Sequence, residues 1–79
     1  MHKKSDKQRQ QWKAFRRNLG KNIKAVRQAQ GLSLDQLSEM TGHSVLTLSR
    51  WEGTRVNLEL YEIFYLAQVL KIPPVMLLK

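Results

Sequence analysis

These 79 residues contain no cysteine, so neither a disulfide nor a thiolate metal site can hold the chain together. A cytoplasmic location is the simplest expectation. No apolar run approaches the roughly 20 residues that cross a bilayer, and no apolar stretch behind the charged front end forms a signal peptide, so no membrane partner is expected. The two prolines are adjacent, at 73 and 74, and nothing earlier in the chain forbids a helix on that account. His2 and His43 stand far apart, and neither a carboxylate pair, a phosphate-cradling loop nor metal-ligand spacing appears. Catalysis, a metal or a cofactor is therefore not expected, and His43 reads as a partly exposed spacer in a turn. Acidic residues are scarce as well, six against fourteen Lys and Arg, and the chain carries a net charge of +8.

That charge is concentrated. Lys3, Lys4, Lys7, Arg9, Lys13, Arg16, Arg17, Lys21 and Lys24 face Asp6 alone in the first 24 residues, which therefore hold the whole net charge. Arg27, Arg50, Arg55, Lys71 and Lys79 are balanced by Asp35, Glu39, Glu52, Glu59 and Glu62. A basic block of this kind suits a polyanion, because displaced counterions drive the association. A solvated tail is the other reading of it.

Length and pattern predict one all-helical domain. Ser5 and Gln8 form a capping-box pair, after which Trp12, Phe15, Leu19, Ile23 and Val26 recur at helical spacing. Either one helix runs from about Ser5 to Gln30, or it breaks near Gly20, where glycine costs about 1 kcal/mol in a helix interior. The sequence favours two pieces with a bend: a basic leader over residues 1–18 and a bundle over 19–79. Trp12 and Phe15 are expected to clad the core. Gly31 and Gly42 mark helix stops, and Ser33 and Ser44 mark starts. A fourth helix should bury Leu60, Ile63, Phe64, Ala67 and Leu70. Pro73-Pro74 should end it and open a last helix over residues 75–78.

The segments 33–40 and 45–52 are both short helical patterns, separated only by Thr41-Gly42-His43-Ser44. A turn of about 3–4 residues containing glycine makes two helices cross steeply, as in a helix-turn-helix. Advancing about 100° per residue from Val45 gathers Leu48, Trp51 and Glu52 on one side. Val45, Leu46, Ser49 and Arg50 fall on the other, with Thr47 at the margin. Apolar side chains on an exposed first turn suit thymine methyls, and Arg50 suits the O6/N7 edge of guanine. The competing reading tucks Val45 or Leu46 against the preceding helix and leaves only Arg50 free. Phosphate contacts are expected from Ser33, Ser44, Thr47, Thr54, Arg55 and Asn57, although Asn57 equally fits a cap on the fourth helix.

Over residues 19–78 the chain resembles the lambda-repressor-like, Cro/C1-type helix-turn-helix family. The resemblance rests on Leu19-Gly20, Ile23, Arg27, Gly31-Leu32-Ser33, the run from Leu37 to Ser44, Leu48-Ser49-Arg50-Trp51-Glu52, Leu60, Leu66-Ala67-Gln68-Val69-Leu70, Ile72 and Pro74. It implies a compact five-helix domain that binds operators as a dimer and regulates transcription. It implies base contacts by Val45, Leu46, Ser49 and Arg50, a phosphate contact by Arg55, and an ion pair between Arg27 and Glu52. Two departures stand out. Leu34 occupies a position where the family usually has a phosphate-binding glutamine, and Val45 and Leu46 stand where polar side chains are common. The basic leader lies outside the resemblance.

Two functional readings follow. One is a transcriptional regulator binding double-stranded DNA as a homodimer through the segment from Ile72 to Leu78, where Val75, Met76, Leu77 and Leu78 exceed the needs of one small core. The other is an antitoxin-like module that sheathes a partner protein and binds DNA secondarily. A membrane-surface role for the leader, anchored by Trp12 and Phe15, is a minor third.

Overall fold

The computed structural model describes residues 5–53 and 58–79. They form five helices: α1 (Asp6–Ala29), α2 (Leu34–Thr41), α3 (Val45–Trp51), α4 (Leu60–Leu70) and α5 (Val75–Leu78). No helix among the described residues is long and apolar enough to cross a membrane.

The first helix is continuous, and the expected break at Gly20 does not occur. Ser5 and Gln8 close a reciprocal capping box at its start, with Oγ accepting from the Gln8 amide at 3.1 Å and Oε1 from the Ser5 amide at 3.0 Å. Gly20 serves close approach rather than bending. A Cβ built there would meet the backbone oxygen of Gly53, and that of Glu52 at 2.9 Å. The helix thus sacrifices some propensity so that the end of α3 can rest against it. Residues 18 and 19, where the sequence suggests a domain boundary, lie within this one helix.

Leu19, Ile23, Leu37, Leu48, Ile63, Leu66, Ala67, Leu70 and Leu77 make the core. Each fully buried leucine or isoleucine contributes about 2 kcal/mol of transfer free energy. Two expectations about apolar stripes are corrected. Trp12 and Phe15 do not clad the core; Trp12 is 48% exposed, and the two rings stack on each other at 5.8 Å. The reason is length. At 1.5 Å per residue α1 is about 36 Å long, and the molecule measures 42 × 24 × 20 Å. The front of α1 overhangs a smaller bundle. In α4 the buried face is Ile63, Leu66, Ala67 and Leu70, while Leu60 is 77% exposed and Phe64 also points outward. Leu66 takes the inward place that the sequence pattern assigns to Phe64.

The ends of the helices are satisfied by local caps and by side chains reaching from Asn22 and Gln30. Gly42 closes α2 in the left-handed conformation at φ 80°. Lys71, at φ 58°, ends α4 two residues before Pro73, and Gln30 Nε2 donates to the Leu70 carbonyl at 2.7 Å. Asn22 Nδ2 donates to the carbonyls of Leu77 and Lys79, both at 3.0 Å, and pins α5 to α1.

Candidate nucleic-acid interface

Helix α3 begins at Ser44, whose Oγ accepts the Thr47 amide at 3.1 Å and donates to Thr47 Oγ1 at 3.0 Å. Leu48 faces the core, with the half-buried Trp51 and the buried side chain of Glu52 on the same side. Val45, Leu46, Ser49 and Arg50 are exposed together on the opposite side. Val45 is 37% exposed and Leu46 61%, so neither is tucked under a neighbouring helix. The Arg50 side chain has no hydrogen-bond or ion-pair partner among the described residues. The exposed face therefore combines two apolar groups, a hydroxyl and an uncommitted guanidinium.

The turn that aims α3 is braced from within. Ser38 Oγ donates to the His43 carbonyl at 2.6 Å, and the His43 amide donates to Thr41 Oγ1 at 3.2 Å. Thr41 Oγ1 in turn donates to the Leu37 carbonyl at 2.8 Å. At the far end of α3, Arg27 Nε donates to Glu52 Oε2 at 2.6 Å and its NH2 nitrogen to Oε1 at 2.9 Å. A third donor reaches the Leu32 carbonyl at 2.8 Å. The Arg27 guanidinium is held above its ordinary pKa, first by the hydrogen bond to Glu52, opposed by burial and helped by the charge attraction. Both partners are almost fully buried, in the fork geometry that suits arginine and carboxylate.

Among the residues expected at phosphate, Ser33 caps α2 and accepts the Gln36 amide at 3.0 Å. Ser44 and Thr47 sit together at the start of α3. Leu34 is half-buried against the core and supplies no polar group. Thr54, Arg55 and Asn57, and Lys3 and Lys4 of the leader, lie outside the described residues.

The remaining leader cations are Lys7, Arg9, Lys13, Arg16 and Arg17. On a wheel of about 100° per residue, Arg9, Lys13, Arg16 and Arg17 fall within about 60° of Gly20, while Lys7 lies well away. Gly20 is the point where α1 touches the end of α3. The cationic side of the overhang thus continues the side of α1 that meets the candidate reading helix. Among the described residues Asp6 pairs with Arg9 alone, at 3.8 Å and well exposed, and the Arg16 guanidinium lies 5.7 Å from the Trp12 ring centre.

Three features escape the sequence: the close approach at Gly20, the ties from Asn22 and Gln30, and the contacts of His43. Its Nε2 lies 2.7 Å from Glu62 Oε2, and its ring stands edge-on to Trp51 at 4.6 Å. His43 is no spacer. Helical periodicity carries no signal for a contact between a turn and a distant helix.

No curated protein matches this chain significantly. A family model described as helix-turn-helix matches residues 23–77. The chain is similar to the crystal structure of the restriction-modification controller protein C.AhdI from Aeromonas hydrophila. The two share 30% identity with a TM-score of 0.75, over 81% of this chain and 97% of that one. Residues 23–77 include both helices of the turn and the face described above, and the chain belongs to the Cro/C1-type helix-turn-helix family of DNA-binding transcriptional regulators.

Proposed function

We propose that this regulator binds a two-fold operator in double-stranded DNA as a homodimer, with α3 lying in the major groove. The observation that carries the reading is the outward set of Val45, Leu46, Ser49 and Arg50 on a helix anchored behind by Leu48, Trp51 and the Arg27–Glu52 pair. Arg50 would take a guanine edge, and Val45 and Leu46 thymine methyls, with Ser49 between them. Two apolar contacts and one fork make a thin base code. Affinity would then lean on phosphate contacts from Ser33, Ser44, Thr47, Thr54, Arg55 and Asn57, and on the leader. The alignment of Arg9, Lys13, Arg16 and Arg17 with the Gly20 side of α1 supports the leader's part in this.

A second copy is the expected partner. The segment 72–78 contributes less than the sequence suggests, because Leu77 is fully buried in its own core and Leu78 packs beside it. Val75 and Met76 stay outside, and α4 adds exposed Leu60, Tyr61 and Phe64. Leu60, Tyr61 and Phe64 line an apolar groove with Ile63, Pro74 and Leu78. A dimer through it would place two copies of α3 on half-sites about 34 Å apart. The likeness to a restriction-modification controller supports control of transcription as the outcome of binding.

Selection of binding sites from random duplexes tests this reading. It predicts recovery of an inverted repeat containing guanine at a fixed place in each half. Recovery of no common sequence would refute it.

A further inference from the structure

We infer that His43 and Glu62 form a positioning pair that sets how α3 is presented to DNA; this rests on the reading of α3 as the base-reading helix. His43 immediately precedes Ser44, the cap on which α3 starts. Its backbone is fixed from both sides by Ser38 and Thr41. Its ring leaves the turn and meets three side chains on two helices, α3 and α4. Nε2 lies 2.7 Å from Glu62 Oε2 on α4, the Trp51 ring is 4.6 Å away at the last turn of α3, and the Tyr65 ring is 6.3 Å away. A carboxylate only accepts, so Nε2 is the donor. Tyr65, one turn beyond Glu62, donates its own hydroxyl to the Thr41 carbonyl at 3.1 Å.

Glu62 occupies the third position of α4, from which a glutamate often folds back on the amide before its helix. Among the described residues no side chain caps α4, and Glu62 reaches across to the turn instead. Both side chains are about a quarter exposed, which leaves the hydrogen bond outside the hydrophobic core that holds the bundle. The pair touches both ends of a seven-residue helix: the start through the His43 backbone, and the end through Trp51. Such a short helix has little rigidity of its own, so its pitch follows its fastenings. A change in pitch would move Arg50 relative to a guanine edge while leaving phosphate attraction nearly intact.

The test uses the full chain with His43→Phe, which keeps an aromatic ring and removes the donor, and with Glu62→Gln and Glu62→Ala. Affinity is measured on a duplex recovered by selection and on a scrambled duplex, beside amide hydrogen exchange and sedimentation. The inference predicts that His43→Phe and Glu62→Ala each lower the selected-to-scrambled affinity ratio about tenfold, and that the double variant is no worse than either single one. Glu62→Gln, which still offers an acceptor, should retain most of the ratio. Exchange over residues 43–51 should rise in the free protein while residues 19–29 stay protected and the sedimenting mass is unchanged. An unchanged ratio with unchanged exchange in α3, or losses that simply add in the double variant, would overturn it. Should the unmodified chain fail to tell the two duplexes apart, the base-reading role of α3 fails. The exchange pattern in His43→Phe then still decides whether the pair holds the helix.

Discussion

Arg27 is held by a fork to Glu52 and a third bond to a backbone carbonyl, all behind the helix that faces outward. Removing one member of such a pair strands the other in a desolvated site, at about 3 kcal/mol. Arg27→Ala should therefore lower Tm by more than about 10 °C, as read by thermal melting. A fall of a degree or two would show that Glu52 finds water easily. The direction of the pKa shift fixes the pH behaviour. A raised basic group stabilises the fold at every pH below its ordinary value, and loses that contribution only as pH climbs through the raised one. The Tm difference between Arg27→Ala and the unmodified chain should thus be the same at about pH 7 and about pH 9. Leu34 makes the opposite point. It abandons a polar role that the family resemblance implies and adds a side chain to the core margin.

Among the elements, α1 shows where reading the sequence succeeds and where it stops. The Ser5–Gln8 box, the stripe through Leu19 and Ile23, and the caps at Ser33 and Ser44 are local patterns, and each appears where local chemistry puts it. Local pattern misplaces Gly20 and Phe64 because their surroundings come from distant segments: the backbone of residues 52–53 for one, and the competing Leu66 for the other. The candidate reading face is legible, since a seven-residue helix with Leu48 and Trp51 inward leaves Val45, Leu46, Ser49 and Arg50 outward. The contact between His43 and Glu62 is not, because nineteen positions separate the two residues.

Gly20→Ala tests the close approach. Helix propensity alone would make alanine stabilising by about 1 kcal/mol. The clash with the Gly53 and Glu52 carbonyls predicts a net loss of about 1–3 kcal/mol in denaturant unfolding. A gain would mean that α3 can retreat freely. For the overhang, deletion of residues 1–17 should leave the helical spectrum of the bundle in place. It should also flatten the dependence of log affinity on log salt by about 0.9 for each phosphate that the leader had neutralised. An unchanged slope would return the leader to the status of a solvated tail.

At the scale of the whole molecule, the apolar groove is built by α4 and the end of the chain, and the cationic overhang by α1. Leu60, Tyr61 and Phe64 crowd one side of α4, and the cations follow the Gly20 side of α1. Phe64→Glu places a charge in the groove and should convert dimer to monomer by sedimentation equilibrium, with secondary structure retained. DNA binding should weaken in step, because one module alone makes limited contact. A dimer that survived the substitution would move the interface elsewhere.

The central claim is that the face opened by Val45 reads bases, and Arg50 is its most exposed commitment. The direct measurement is the affinity of Arg50→Ala for a selected operator and for random duplex at the same salt. The account predicts a loss on the operator greater by about 1–3 kcal/mol than on random DNA. An equal loss on both would make Arg50 a phosphate contact and contradict the account.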